Sequence, residues 1–92
     1  YTLDGRMNLT NARFKRDFAG VDEEFGGHVS ENYSRAYLHH LLKAKEFLAG
    51  TLCTIHNVEF MIRLVDNIRA AIDGGYYEAY RDEFLGRYYA GK

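Results

Sequence analysis

The sequence predicts a helix-rich α+β fold, a short N-terminal β ribbon followed by three α-helices in one small domain. Two observations carry that expectation. Apolar residues recur at three- and four-residue spacing from Ser30 onward, and the residues before them alternate around an Asp4-Gly5 turn signal. In residues 1–14, YTLDGRMNLTNARF, Met7 and Leu9 lie on the strand-like side, which predicts a hairpin or ribbon. Residues 15–29 carry Gly20, Gly26, Gly27 and the acidic Asp22, Glu23 and Glu24 without a sustained period, and read as loop. Ser30 or Asn32 then caps a first helix whose stripe is Tyr33, Tyr37, Leu41, Ala44 and Leu48, widened by Leu38 and Leu42, with Gly50 as its interruption. A second, longer helix places Ile55, Val58, Ile62, Val65, Ile68 and Ile72 on one face, pairs Glu59 with Arg63, and ends at Gly74-Gly75. The third spans about residues 76–89, with Tyr77, Tyr80, Phe84 and Tyr88 as its stripe and Glu83 facing Arg87. The expected organisation is a single domain over 1–92, with ribbon and loop in 1–29 and helices in 30–92.

Composition narrows the function classes. A chain of 92 residues buries a modest fraction of its surface, so stability should be modest too. A net charge of −1 gives no general case for nucleic-acid binding, although Arg6, Arg13, Lys15 and Arg16 against Asp4 make the start locally basic. The aromatic share of 15% is high and fits a chain with an interface to cover. One cysteine, Cys53, leaves no disulfide or multi-cysteine zinc site within the chain and fits a reducing cytosol. There is no apolar run of the ~20 residues a membrane span needs and no signal-peptide pattern, so a cytoplasmic location is expected. The start at Tyr1 suggests a chosen boundary or a piece of a longer protein.

The stretch NYSRAYLHHL, followed by TIHNVEFMIRLVDNIRAAI, resembles the C-terminal part of bacterial queuine tRNA-ribosyltransferase, the tRNA-guanine transglycosylase. DGRMNLTNARFKRDFAGVDEE before it and GGYYEAYRDEFLGRYYAGK after it continue the likeness over nearly the whole chain. The resemblance implies the end of a TIM-barrel glycosyltransferase that exchanges guanine at the tRNA wobble position in queuosine biosynthesis, through a covalent aspartate intermediate. It also implies that both catalytic aspartates lie before the point corresponding to Tyr1, so no catalytic residue is expected in this chain.

The family carries zinc on a Cys-x-Cys-x-x-Cys loop and a distant histidine. Here the cysteine positions hold Phe25, Gly27 and Ser30, and only His56 matches. Two of these have no side-chain donor and serine is a poor zinc ligand, so no cofactor is expected and His56 is a remnant. Burying one phenylalanine is worth about 1.5–3 kcal/mol, against zinc-binding free energies on the order of 10–16 kcal/mol in finger peptides. Either other packing compensates, or the loop is looser. An altered metal site from His28, His56 and Glu24 is the alternative; in the plainer reading His28 is a solvated loop residue and His56 a helix residue.

By the same resemblance, Tyr33, Tyr37, His40 and Leu41 correspond to an aromatic cluster in a homodimer interface, while the plainer reading turns the tyrosines and Leu41 into the core. Arg13, Lys15, Arg16 and Arg35 are the candidate tRNA contacts, against ordinary surface charge. His39 and His40 are adjacent, about 100° apart on a helix, and do not suit one ion. Cys53 reads as a small buried residue, and Asp22, Glu23 and Glu24 as a solvated acidic loop. The expected function is a structural, dimer-forming subdomain whose partners are a second copy, an upstream barrel and, through the parent enzyme, tRNA. The alternatives are an independent tRNA-binding module and a designed or excised metal-independent scaffold without activity.

Overall fold

Helices begin earlier, and break elsewhere, than the apolar period suggests. The computed structural model describes residues 1–90 and contains a 3₁₀ turn, Ala12–Phe14, and four α-helices: α1 Gly27–Asn32, α2 Arg35–Lys43, α3 Phe47–Asp73 and α4 Tyr77–Tyr89. The expected first helix is therefore two helices. Between them Tyr33 and Ser34 are extended, and the Ser34 side chain accepts from the Tyr37 amide (3.1 Å) as the cap of α2. Ser30 is spent on a different bond: its Oγ accepts from the Asp22 amide (2.9 Å).

Gly50 does not interrupt anything; α3 runs straight through it. The break lies at Lys45, whose φ of 57° is left-handed, with the Lys45 amide donating to Leu42 O (3.1 Å) and the Glu46 amide to Leu41 O (3.0 Å). That pair of bonds is the left-handed helix stop usually built on glycine. The same pair recurs at the end of α3, where the Gly75 amide donates to Ile72 O and the Tyr76 amide to Ala71 O, as the Gly74-Gly75 signal indicates.

The β ribbon is not formed. Among the described residues strand pairing is limited to two isolated bridges, Thr2 with Gly5 and Gly20 with Ser34. The turn exists but is tight, with Leu3 and Asp4 at its centre, and it feeds no second strand among the described residues. Side chains claim the amides a strand would need: Asn8 Oδ1 accepts from the Thr10 amide (3.1 Å) and Asn11 Oδ1 from the Arg13 amide (3.0 Å). Met7 and Leu9 leave strand alternation to pack into the core.

That core joins the N-terminal segment to α1, α2 and the first half of α3. Leu9, Phe14, Val21, Val29, Leu38 and Leu52 are buried together, with Met7, Tyr33, Leu41, Leu42 and Cys53 packed around them. The stripe expected to be buried on the long helix is largely open instead: Ile55, Val58, Ile62, Val65 and Ile72 are exposed. The face that α3 turns inward is Ala49, Leu52, His56, Phe60 and Ala71. Its neighbours fix this, since α1 and α2 cover one side of the helix and α4 another, and among the described residues no further element covers the rest. At 27 residues α3 is roughly 40 Å long, close to the 46 Å long axis of the molecule. No helix among the described residues is long and apolar enough to cross a membrane.

α4 buries no residue. Its aromatic stripe stacks along the helix, Tyr80 on Phe84 (6.2 Å) and Phe84 on Tyr88 (5.9 Å), and reaches α3 through Phe60 (6.4 Å). Arg87 does not take Glu83. It binds Asp4 (2.7 Å) and Glu24 (2.5 Å), tying α4 to the N-terminal turn and the acidic loop. Gly5 makes that approach possible: its φ is 110°, and a Cβ there would stand 2.8 Å from Tyr88 O.

Candidate functional site

Phe25 and His28 lie against α3, Phe25 beside His56 and His28 at Glu59, whereas Ser30 turns to the Asp22 amide. Phe25 is half-buried, its ring edge-on to the His56 imidazole (centroids 5.8 Å, 78°) and tilted on Phe60 (5.2 Å). The Arg63 guanidinium also lies against this ring, 4.1 Å from the Phe25 centroid, and its Nη1 donates to Phe25 O (2.7 Å). The His28 amide donates to Glu59 Oε2 (3.2 Å), and Glu59 pairs with Arg63 (3.7 Å), as the sequence indicates.

His56 is buried, and its Nε2 donates to Tyr1 O (2.7 Å) because a carbonyl only accepts. The lone pair therefore sits on Nδ1, which is buried without a partner. Burial holds this histidine below its ordinary pKa, outweighing the nearby carboxylates of Asp22 and Glu59, so it is neutral at pH 7.

These donors do not suit zinc. Gly27 and Phe25 contribute none, Ser30 Oγ is occupied by the Asp22 amide, and Nδ1 of His56 has no companion ligand. The alternative set does not assemble: His28 is exposed and lies on Tyr33 (6.3 Å), while Glu24 is held by Arg87. Among the described residues no group of three or more His, Cys, Asp and Glu side chains is placed to hold a metal ion.

The other sequence candidates fall into two places. Tyr33 lies outside α2 yet stacks on Tyr37 (5.7 Å, 18°), and Tyr37 and His40 are exposed while Leu41 packs against the core. The histidine pair splits as helix geometry requires: His39 is buried and bonded through Nδ1 to Leu9 O (2.8 Å), and His40 faces out. Arg13, Lys15 and Arg16 are exposed around the 3₁₀ turn. Arg35 is half-buried, binds Asp17 (3.0 Å) and donates to Val21 O (3.1 Å); its guanidinium holds the Asp17 carboxyl below the usual range.

Cys53 packs against the core and lines a cavity of about 270 Å³ with His56, Val29 and Leu38; burial pushes its thiol up, away from the reactive thiolate. Asp22 departs most from what its acidic surroundings suggest. It is buried, and its carboxylate accepts from the Leu3 (2.7 Å) and Phe25 (3.1 Å) amides, knotting the first turn to the loop. Neither the Asp22–Leu3 bond nor the grip of Arg87 on Asp4 leaves a local sequence signal, because the partners lie 19 and 83 positions away.

The sequence profile described as queuine tRNA-ribosyltransferase matches residues 1–90. Curated proteins of that name include one from Symbiobacterium thermophilum, 47% identical over all of this chain and 23% of its own length. One from Clostridium perfringens is 44% identical over 95% of this chain and 24% of its own, and one from Bacillus subtilis is 40% identical over 96% and 23%. The chain belongs to the queuine tRNA-ribosyltransferase family. It corresponds to the C-terminal region and spans about a quarter of the length of these relatives.

Proposed function

We propose that the chain is the C-terminal structural and dimer-forming subdomain of a tRNA-guanine-exchanging enzyme, without catalytic residues of its own and without zinc. The match along the whole chain to the C-terminal quarter of named queuine tRNA-ribosyltransferases carries this reading. On it, base exchange belongs to an upstream barrel, and the open stripe on α3 is the surface that completes that barrel. Tyr33, Tyr37, His40 and Leu41 form the face offered to a second copy. Two observations support that role: the rings of Tyr33 and Tyr37 are stacked, and Tyr37 is exposed on a helix. Arg13, Lys15 and Arg16 are the cations available to tRNA phosphates, and Arg35 is a weaker candidate because Asp17 and Val21 already engage it. A cytoplasmic location goes with this function.

Sedimentation velocity on the chain and on Tyr37→Ala tests the interface. The variant is expected to shift toward monomer at concentrations where the unaltered chain self-associates; equal distributions would refute the assignment. Filter binding of tRNA at several salt concentrations separates the independent tRNA-binding reading, which requires tight binding that falls steeply with salt.

A further inference from the structure

The disagreement between these residues and zinc has a definite structural form. His56 retains the outer half of a ligand's arrangement, a ring nitrogen donating to a backbone carbonyl with the other lone pair turned inward. What packs against that imidazole is the Phe25 ring. The backbone departs as well. Gly27 has φ of 84°, a left-handed conformation that strains any L side chain, and a Cβ there would stand 2.6 Å from Glu59 Oε2, so a cysteine at that ligand position would be strained and would displace the Glu59 carboxylate from the loop.

We infer that the loop is fastened to α3 by a metal-independent latch in which Phe25 is the bolt and Glu59, Phe60 and Arg63 are the catch. His56, Glu59, Phe60 and Arg63 follow one another at short helical spacing and so share a face of the helix. Arg63 acts twice, over the Phe25 ring and on the Phe25 carbonyl, which fixes both the side chain and the backbone. Glu59 holds the next point of the loop, the His28 amide, and is itself braced by Arg63. Phe60 packs on the same ring from the buried face of α3. Aromatic, cation–π and charge-assisted contacts thus converge on the part of the loop that four coordination bonds would hold in a zinc-bearing relative. The comparison with zinc rests on the proposed function; the latch rests on these contacts alone.

The test combines metal analysis with a double-mutant cycle. The chain is purified from zinc-supplemented medium, its zinc is counted by plasma mass spectrometry, and its melt is followed with and without EDTA. Zinc far below one per chain and a midpoint unmoved by EDTA are expected; stoichiometric zinc whose removal collapses the melt would overturn the latch. Phe25→Leu and Arg63→Met should each lower the midpoint, and the double variant should lower it by less than the sum, because ring and cation form one contact. Additive losses would overturn it too. If Phe25→Leu does not fold, Arg63→Met alone decides: the His28 amide should exchange its hydrogen faster than in the unaltered chain, and an unchanged rate counts against the latch. Failure of the proposed function shows separately, in an unaltered sedimentation profile of Tyr37→Ala.

Discussion

Two neighbouring positions on α3 separate the buried face from the open one. Phe60 is 3% exposed and touches the rings of Tyr1, Phe25, His56 and Phe84, whereas Ile62, two residues on, is 59% exposed. Removing a buried phenylalanine ring typically costs about 3–5 kcal/mol. In a domain of this size each kcal/mol moves the midpoint by about 4–8 °C, so Phe60→Ala should lower the melt by more than ~10 °C. Ile62→Lys removes little buried surface and introduces a better helix former, so its effect should stay within ~0.5 kcal/mol, or a few degrees. Far-UV circular dichroism melts at several protein concentrations make the comparison, since concentration dependence reveals association through the stripe. If Ile62→Lys proves the more damaging of the two in the monomer, the stripe is core and α3 turns the opposite face inward.

The same contacts set three smaller effects. Ser34→Ala, which deletes the α2 cap, should cost about 1 kcal/mol in urea unfolding. Gly50→Ala should stabilise by up to ~1 kcal/mol, because the residue lies inside α3 with nothing within 4 Å of a new Cβ. His56, held below its ordinary value of 6.5 by burial, lets the unfolded chain bind the extra proton. Stability should be complete above that pH and decline below it, with His56→Gln flattening the decline in urea midpoints. Asp4, Asp17 and Glu24, depressed by their arginines, add a further fall only at more acidic pH, as the folded carboxylates themselves protonate.

What the sequence makes legible is periodic or local. The third helix, the Gly74-Gly75 stop and the Glu59–Arg63 pair follow from short-range rules and are present. The ribbon fails because Asn8 and Asn11 satisfy backbone amides with their own side chains, a competition that apolar alternation does not register. Gly50 and Lys45 exchange roles for a similar reason: tertiary packing carries the helix through a glycine, and the left-handed stop falls on a lysine. The α3 stripe shows the limit of periodicity, which identifies an apolar face without supplying the neighbour to cover it. In the loop, Phe25 and His56 are recognisable from the sequence, but Arg63 and Glu59 are legible only as a surface pair, since nothing local tells a helix residue which distant carbonyl or amide it will meet.

The way α4 is attached has a consequence for how the molecule comes apart. With no buried residue, it depends on stacked rings and on Arg87, which bridges to Asp4 and Glu24 in open solvent. Such charges are screened within about 10 Å at moderate ionic strength, while the fully buried Leu38 and Val29 are held by apolar packing that salt does not screen. Opening should therefore be graded: amides of α4 release first and respond to added salt, and those of α2 and the first half of α3 persist until global unfolding. The long helix then spans two regimes, its N-terminal turns belonging to the last unit to melt and its C-terminal turns to the first.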